Sequence, residues 1–232
     1  DDLKALNEFK DRMISVIGHD LRNPVGTIKM ALNFLIHQAP DPESEEYQQT
    51  LKILFNSVDE SLILLENILC WSRSQSGVIE VNKETVAVDV VIKETGKLLQ
   101  SQADVKKVEF SIETPENLMA EVDPNILATI LRNLTSNAIK FTKSGGHVTL
   151  SAANEAGGIR VKVQDNGVGM SEEQVQKILS SETFSTKGTG GEAGTGFGLA
   201  LTMDFIQRCE GQLHVESEKG KGSSFWFDIP GA

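Results

Sequence analysis

The stretch "SVIGHDLRNPVGTI", Ser15–Ile28, decides how the first third of this chain is read. Around it apolar residues recur with helical spacing: Leu6, Phe9, Met13, Ile17, Leu21, Val25, Ile28, Leu32 and Leu35. Within that pattern sit His19, Asp20, Arg22, Asn23 and Pro24. Pro24 has no N–H to offer the Asp20 carbonyl, so a bend is expected there, at about 3 kcal/mol in an ordinary helix interior. With Ile17 and Leu21 facing a core, His19 stands roughly 200° around the helix from Ile17, on the outer face with Asn23 one turn on. An exposed His beside a carboxylate can be no more than a polar helix face. It can also be a nucleophile, with Asp20 accepting the imidazole proton as the other ring nitrogen attacks. A proline kept on the same turn favours the second reading.

A second run follows at Leu51, Leu54, Val58, Leu62, Leu65 and Leu69, after the connector "QAPDPESEE". In that connector Asp41 is the expected N-cap and Pro42 fits the first helical position. The result is an α-helical hairpin. Two helices bury a single apolar seam poorly, so two copies forming a dimeric four-helix bundle are expected, a homodimer through the hairpin.

After "SRSQSGVIEV" the pattern changes. Strand-like runs fall at 85–88, 108–112, 147–152, 159–163, 213–216 and 224–229, with helical runs at 90–102, 124–141, 172–179 and 199–208. This alternation predicts an α/β sandwich with a largely antiparallel sheet. The chain thus reads as multidomain: a hairpin over 1–76 and a sandwich over 77–232.

A net charge of −11 argues against a nucleic-acid binder, though not against a nucleotide, which needs only a local cluster of donors. Cys70 and Cys209 lie in periodic apolar contexts and read as reduced core thiols of a cytoplasmic protein. No run of about 18 apolar residues is present, so no membrane contact is expected of this stretch. The opening "DDLKALNEFK" already lies inside a helical pattern, as in a fragment of a longer parent, membrane-anchored or wholly cytosolic. His37, His147 and His214 have no setting like that of His19 and read as surface or edge residues.

Three further motifs bear on chemistry. In "RNLTSNAIKFT", Asn133 and Asn137 lie one turn apart on one helix face and Lys140 one turn beyond. Amide oxygens so placed can hold a hydrated Mg²⁺ while the lysine meets phosphate oxygens; alone, the pair is equally a polar helix face. In "VKVQDNGVGM", Asp165 ends a strand before Gly167 and Gly169, where a carboxylate could accept from an exocyclic amine; alone, this is more often a turn. In "FSTKGTGGEAGTGFGLAL", glycines 188, 190, 191, 194, 196 and 198 run into a helix whose amides can cradle phosphates, with Lys187 adding charge.

Taken in order, "HDLRNP", "NLTSNAIKFT", "DNGVGM" and "GTGFGLAL" resemble the phospho-acceptor, asparagine and two glycine boxes of sensor histidine protein kinases. The resemblance covers essentially the whole chain and implies a Bergerat-type ATP-binding fold after the hairpin. It implies ATP and Mg²⁺ as cofactors, His19 as the phosphorylated residue and Asp20 as its base. Asn137 resembles the Mg²⁺ ligand, with Asn133 supporting metal and phosphates, Lys140 and Phe141 along the nucleotide, and Asp165 on the adenine amine. Gly167, Gly169, Gly194, Gly196 and Gly198 would shape pocket and lid; Phe184 is the remnant of the aromatic-and-basic box preceding the lid. The implied partner is a response-regulator receiver domain, and Asp20 with Asn23 resembles the pattern with which such kinases also dephosphorylate it.

Overall fold

The computed structural model describes residues 2–38, 41–75, 82–155, 158–179, 188–189 and 197–231. The chain divides into two compact units, Asp1–Val78 and Ile79–Ala232.

The first unit is a pair of packed helices, α1 (Asp2–Gln38) and α2 (Glu45–Gln75). α1 continues through Pro24 as one helical element instead of breaking there. Pro24 and Ala31 are buried, and Ser57 is buried on α2. The face read from the sequence as the seam is largely open in the single chain. Val25 is 50% exposed, Leu32 45%, Leu51 39%, Val58 43% and Leu62 52%. Leu51, Phe55, Val58, Leu62 and Leu65 follow steps of four and three, so they form one stripe along α2, all of it exposed. Among the described residues of the hairpin, Pro24, Ala31 and Ser57 are the buried ones, while Ile28, Leu35 and Leu54 are half-buried.

The cap of α2 also differs from expectation. Ser44, not Asp41, precedes the first helical residue, and its Oγ accepts from Tyr47 N at 3.2 Å. Asp41 closes the turn before it: its Oδ1 accepts from Glu43 N at 2.9 Å and its carbonyl from Ser44 Oγ at 2.6 Å. A side chain caps from the position directly before the helix, and Asp41 stands three residues too early.

In the second unit a five-stranded sheet has the order β2 (Glu109–Glu113), β4 (His147–Glu155), β5 (Gly158–Asp165), β7 (Gly222–Pro230), β6 (Leu213–Glu218). Only β2 and β4 run parallel; the other three pairs are antiparallel. Burial alternates along these strands, and the register aligns it across them: Ala152, Val161, Phe227 and Leu213 form one buried row. Helices α3 (Val88–Lys106) and α4 (Pro124–Phe141) pack on the sheet, and α6 (Phe197–Arg208) packs on α4. A short helix α5 (Glu172–Leu179) adjoins β6. A separate ribbon pairs β1 (Glu84–Ala87) with β3 (Met119–Val122), the latter a strand the pattern did not signal. Cys209 is buried with a free thiol, and burial pushes its pKa up to about 11, so it stays protonated at neutral pH. The Cys70 side chain lies outside the described residues.

α4 is the best specified helix. Asp123 caps it, its Oδ1 accepting from Asn125 N at 2.9 Å and Ile126 N at 3.2 Å, with Pro124 in the first turn. The second oxygen, Oδ2, accepts from Asn82 N at 3.2 Å and so ties the incoming chain to the same helix. Beside it Lys83 pairs with Glu210 at 2.6 Å, just past the end of α6. Asp123→Ala removes the cap and this tie together. It is expected to lower the stability of the 79–232 unit by about 1–2 kcal/mol, read as a lower denaturant midpoint, while Lys83→Ala at the exposed pair leaves that midpoint essentially unchanged.

Candidate functional site

The site is built where the end of β5 meets the end of α4. Ile159, Val161 and Val163 are the inward residues of β5, and the next inward position is Asp165. The strand's own period thus carries a carboxylate onto the apolar face. Its Oδ1 accepts from Gly167 N at 2.8 Å and Ser223 N at 3.3 Å; Oδ2 has no donor among the described residues. Burial raises the pKa of this carboxyl above the usual aspartate value, and the two backbone N–H groups oppose the shift only in part.

The turn after Asp165 is held from both sides. Val168 N donates to the Phe141 carbonyl at 3.1 Å, and Gly220 N to the Val168 carbonyl at 2.7 Å. A Cβ at Gly167 would lie 2.4 Å from the Phe141 carbonyl oxygen, so no larger residue lets the turn come this close. Gly169 has φ +59, and a Cβ there would meet Glu218 O at 2.0 Å.

α4 presents the remaining groups. Asn133 is buried, and its Nδ2 lies 3.4 Å from both Gly198 O and Thr202 Oγ1, which binds the first turn of α6 to the middle of α4. Asn137, one turn on, is half-buried, and its side-chain amide has no protein partner among the described residues. The Lys140 ammonium sits 5.7 Å from the centre of the Phe141 ring. An open carboxylate oxygen on Asp165 and an uncommitted amide on Asn137 suit a base with an exocyclic amine at one end and a cation–phosphate group at the other. The donor set therefore fits a nucleotide, and the Asn137 amide oxygen is the kind of hard ligand that Mg²⁺ takes.

Asn133, Asn137, Lys140, Phe141, Asp165, Gly167, Gly169 and Gly198 are thus brought into the second unit's site. Lys187, Gly194 and Gly196 lie outside the described residues. His19, Asp20 and Asn23 are on α1 in the first unit; Asn23 is exposed, and the side chains of His19 and Asp20 lie outside the described residues. Sequence reasoning missed Ser223 and Thr189. Ser223 reaches Asp165 only through the β5–β7 register, which no local pattern encodes.

Residues 9–77 match the His Kinase A (phospho-acceptor) domain, and residues 122–232 match the histidine kinase-, DNA gyrase B-, and HSP90-like ATPase family. The chain belongs to the sensor histidine kinases, of which it carries the core. It is 29% identical over 231 residues to the circadian input-output histidine kinase CikA of Synechococcus elongatus, covering 98% of this chain and 31% of that one. The solved catalytic domain of the histidine kinase ThkA is 29% identical, with a TM-score of 0.56 over 64% of this chain and 95% of that one. The fold of ThkA in complex with the response regulator TrrA covers all of this chain and 63% of that one, at TM-score 0.68 and 24% identity. Among eight curated relatives the chain spans 28–62% of their length.

Because the Asp165 pKa is raised in the folded state, its contribution to stability is full at low pH and is lost as pH rises through that value. Asp165→Asn keeps an Oδ1 acceptor for Gly167 and Ser223 and removes the buried charge. At pH 7 it is expected to unfold at a higher midpoint than the wild type, with the difference shrinking as pH falls below the usual carboxyl range. Thermal melts of both proteins across pH 3–8, around the reference aspartate pKa of about 3.9, check this.

Proposed function

We propose that this chain autophosphorylates His19 from ATP and passes the phosphoryl group to an aspartate of a response-regulator receiver domain. One observation carries the reading: a single chain joins a phospho-acceptor helix pair to an ATPase fold in which an Asp165 oxygen and the Asn137 amide remain open to a ligand. Residues 1–76 are assigned to dimerisation and phosphotransfer, and residues 77–232 to nucleotide binding.

When bound, MgATP supplies the γ-phosphoryl group. The His19 ring nitrogen attacks it, an N–P bond forms, the P–O bond to ADP breaks, and Asp20 takes the proton from the other ring nitrogen. Asp165 accepts from the adenine amine. Asn137 offers its amide oxygen to Mg²⁺, Asn133 supports metal and phosphates, and Lys140 and Phe141 lie along the nucleotide. The glycine-rich run, with Lys187, Gly194, Gly196 and Gly198, supplies charge and backbone donors to the phosphates. Such transfer asks the protein chiefly for positioning and for stabilisation of charge. The acceptor aspartate follows from the family, and the related fold of ThkA is itself found bound to a response regulator. The exposed Asn23, one turn from His19, suits positioning a water that attacks the regulator's phospho-aspartate, releasing inorganic phosphate and the free carboxylate.

The open stripes on α1 and α2 support a homodimer. Burying a Leu or Val side chain contributes about 1.5–3 kcal/mol relative to leaving it exposed, and a second hairpin offers a matching surface.

With γ-labelled ATP the chain is expected to acquire acid-labile, base-stable label, and His19→Gln to acquire none; label surviving in that variant would sink the assignment. The dimer is tested separately. A charge at Leu62 together with one at Val25 is expected to convert the chain to monomer in sedimentation equilibrium, and an unchanged dimer would place the interface elsewhere.

A further inference from the structure

On the inward face of the sheet, Leu150, Val163, Phe225 and Val215 stand opposite one another across β4, β5, β7 and β6. One row further along the same face the side chains turn polar: Asp165 on β5, Ser223 on β7 and Ser217 on β6. The hydroxyl oxygens of Ser217 and Ser223 lie 3.0 Å apart.

Ser217 has a full set of partners. Its Oγ accepts from Met170 N at 2.8 Å and donates to the Gly222 carbonyl at 2.9 Å. With that proton spent, the contact between the two serines is one in which the Ser223 hydroxyl donates. These bonds join two segments. Met170 closes the turn that starts at Asp165, and Gly222 opens β7. The two backbones are pressed together here, since a Cβ at Gly222 would lie 2.0 Å from the Asp165 carbonyl oxygen.

The Asp165 carboxylate draws on the same two segments. Its Oδ1 accepts from Gly167 N, inside the turn, and from Ser223 N, next to Gly222. A carboxylate is planar, so donors reaching Oδ1 from two sides also fix where Oδ2, the open oxygen, points.

We propose that Ser217 is a positioning residue for the base end of the nucleotide site. It ties the Asp165–Met170 turn to the start of β7 and so holds in place the two amides that aim the open oxygen of Asp165. This rests on the nucleotide reading and extends it to a hydroxyl on the edge strand β6 that touches no ligand in the scheme. Without that hydroxyl the carboxylate is free to swing. The loss falls on the hydrogen bond to the exocyclic amine, and the phosphates, met from α4, are spared.

The test uses the 1–232 chain and two ligands, Mg·ADP and the magnesium complex of purine riboside diphosphate, which lacks the exocyclic amine. The wild type is expected to bind ADP the more tightly in calorimetry. Ser217→Ala should raise the Kd for ADP about three- to tenfold, as befits loss of one net hydrogen bond, and leave that of the amine-free nucleotide within about twofold of wild type. Ser217→Thr, which keeps the hydroxyl, should retain the wild-type ratio of the two constants. A general loosening of the unit would weaken both nucleotides by one factor, and a smaller folded fraction would lower the stoichiometry without moving the ratio. A wild-type ratio in Ser217→Ala, or a ratio in Ser217→Thr as small as in Ser217→Ala, overturns the inference while the nucleotide reading stands. A wild-type chain that binds neither ligand overturns the nucleotide reading itself, and one that binds both alike overturns the placing of Asp165 on the amine.

Discussion

The hydrogen bond from Val168 N to the Phe141 carbonyl joins sheet to helix at the one point where the candidate site needs both. It exists because Gly167 lets two backbones approach within a distance that any Cβ would forbid. On the sheet side of that contact lies Asp165, brought inward by the two-residue period of β5. On the helix side lie Asn133, Asn137 and Lys140, brought to one face by the period of α4. Moving either element by one residue would send one set of groups to the wrong side.

Burying the Asp165 carboxylate works against stability, as its raised pKa shows. Two backbone N–H groups satisfy one oxygen, and the other is left without a protein donor. A purely structural aspartate would be expected to have both oxygens engaged, as the Asp123 side chain does with three backbone amides. The contrast between these two buried acids separates a fully engaged capping group from one that keeps an oxygen open. The hairpin makes a parallel trade on a larger scale. Among its described residues it leaves Leu51, Phe55, Val58, Leu62 and Leu65 exposed while Pro24, Ala31 and Ser57 are buried, so the single chain carries an apolar stripe that only another surface can cover.

Much of this was legible beforehand where signals are local. α4 begins and ends where the Asp123-Pro124 start and the loss of apolar period at Phe141 place it, because capping and periodicity act within a few residues. α5 was equally plain. β3 was missed because four residues centred on Ala120 carry little strand propensity, and the strand forms by pairing with β1, some 35 positions away. Asp41 was taken for the cap of α2 because its type was right, although Ser44 held the position. Apolar periodicity identified the stripe on the hairpin, which stays open in the single chain, but not the surface that covers it.

The sequence by itself determined the two-unit plan, the helices and most strands, and the order of the four motifs, since all of these rest on neighbours in the chain. It also supplied the family, through motif spacing. Only the tertiary structure decided that Pro24 is buried, that Ser223 completes the Asp165 environment, and that Thr189 meets the carbonyls of Lys140 and Thr142 at the end of α4. Each of these depends on register or docking between segments tens of residues apart. Contacts of that kind are fixed by packing and by unsatisfied backbone groups seeking partners, and they leave no mark in the local pattern.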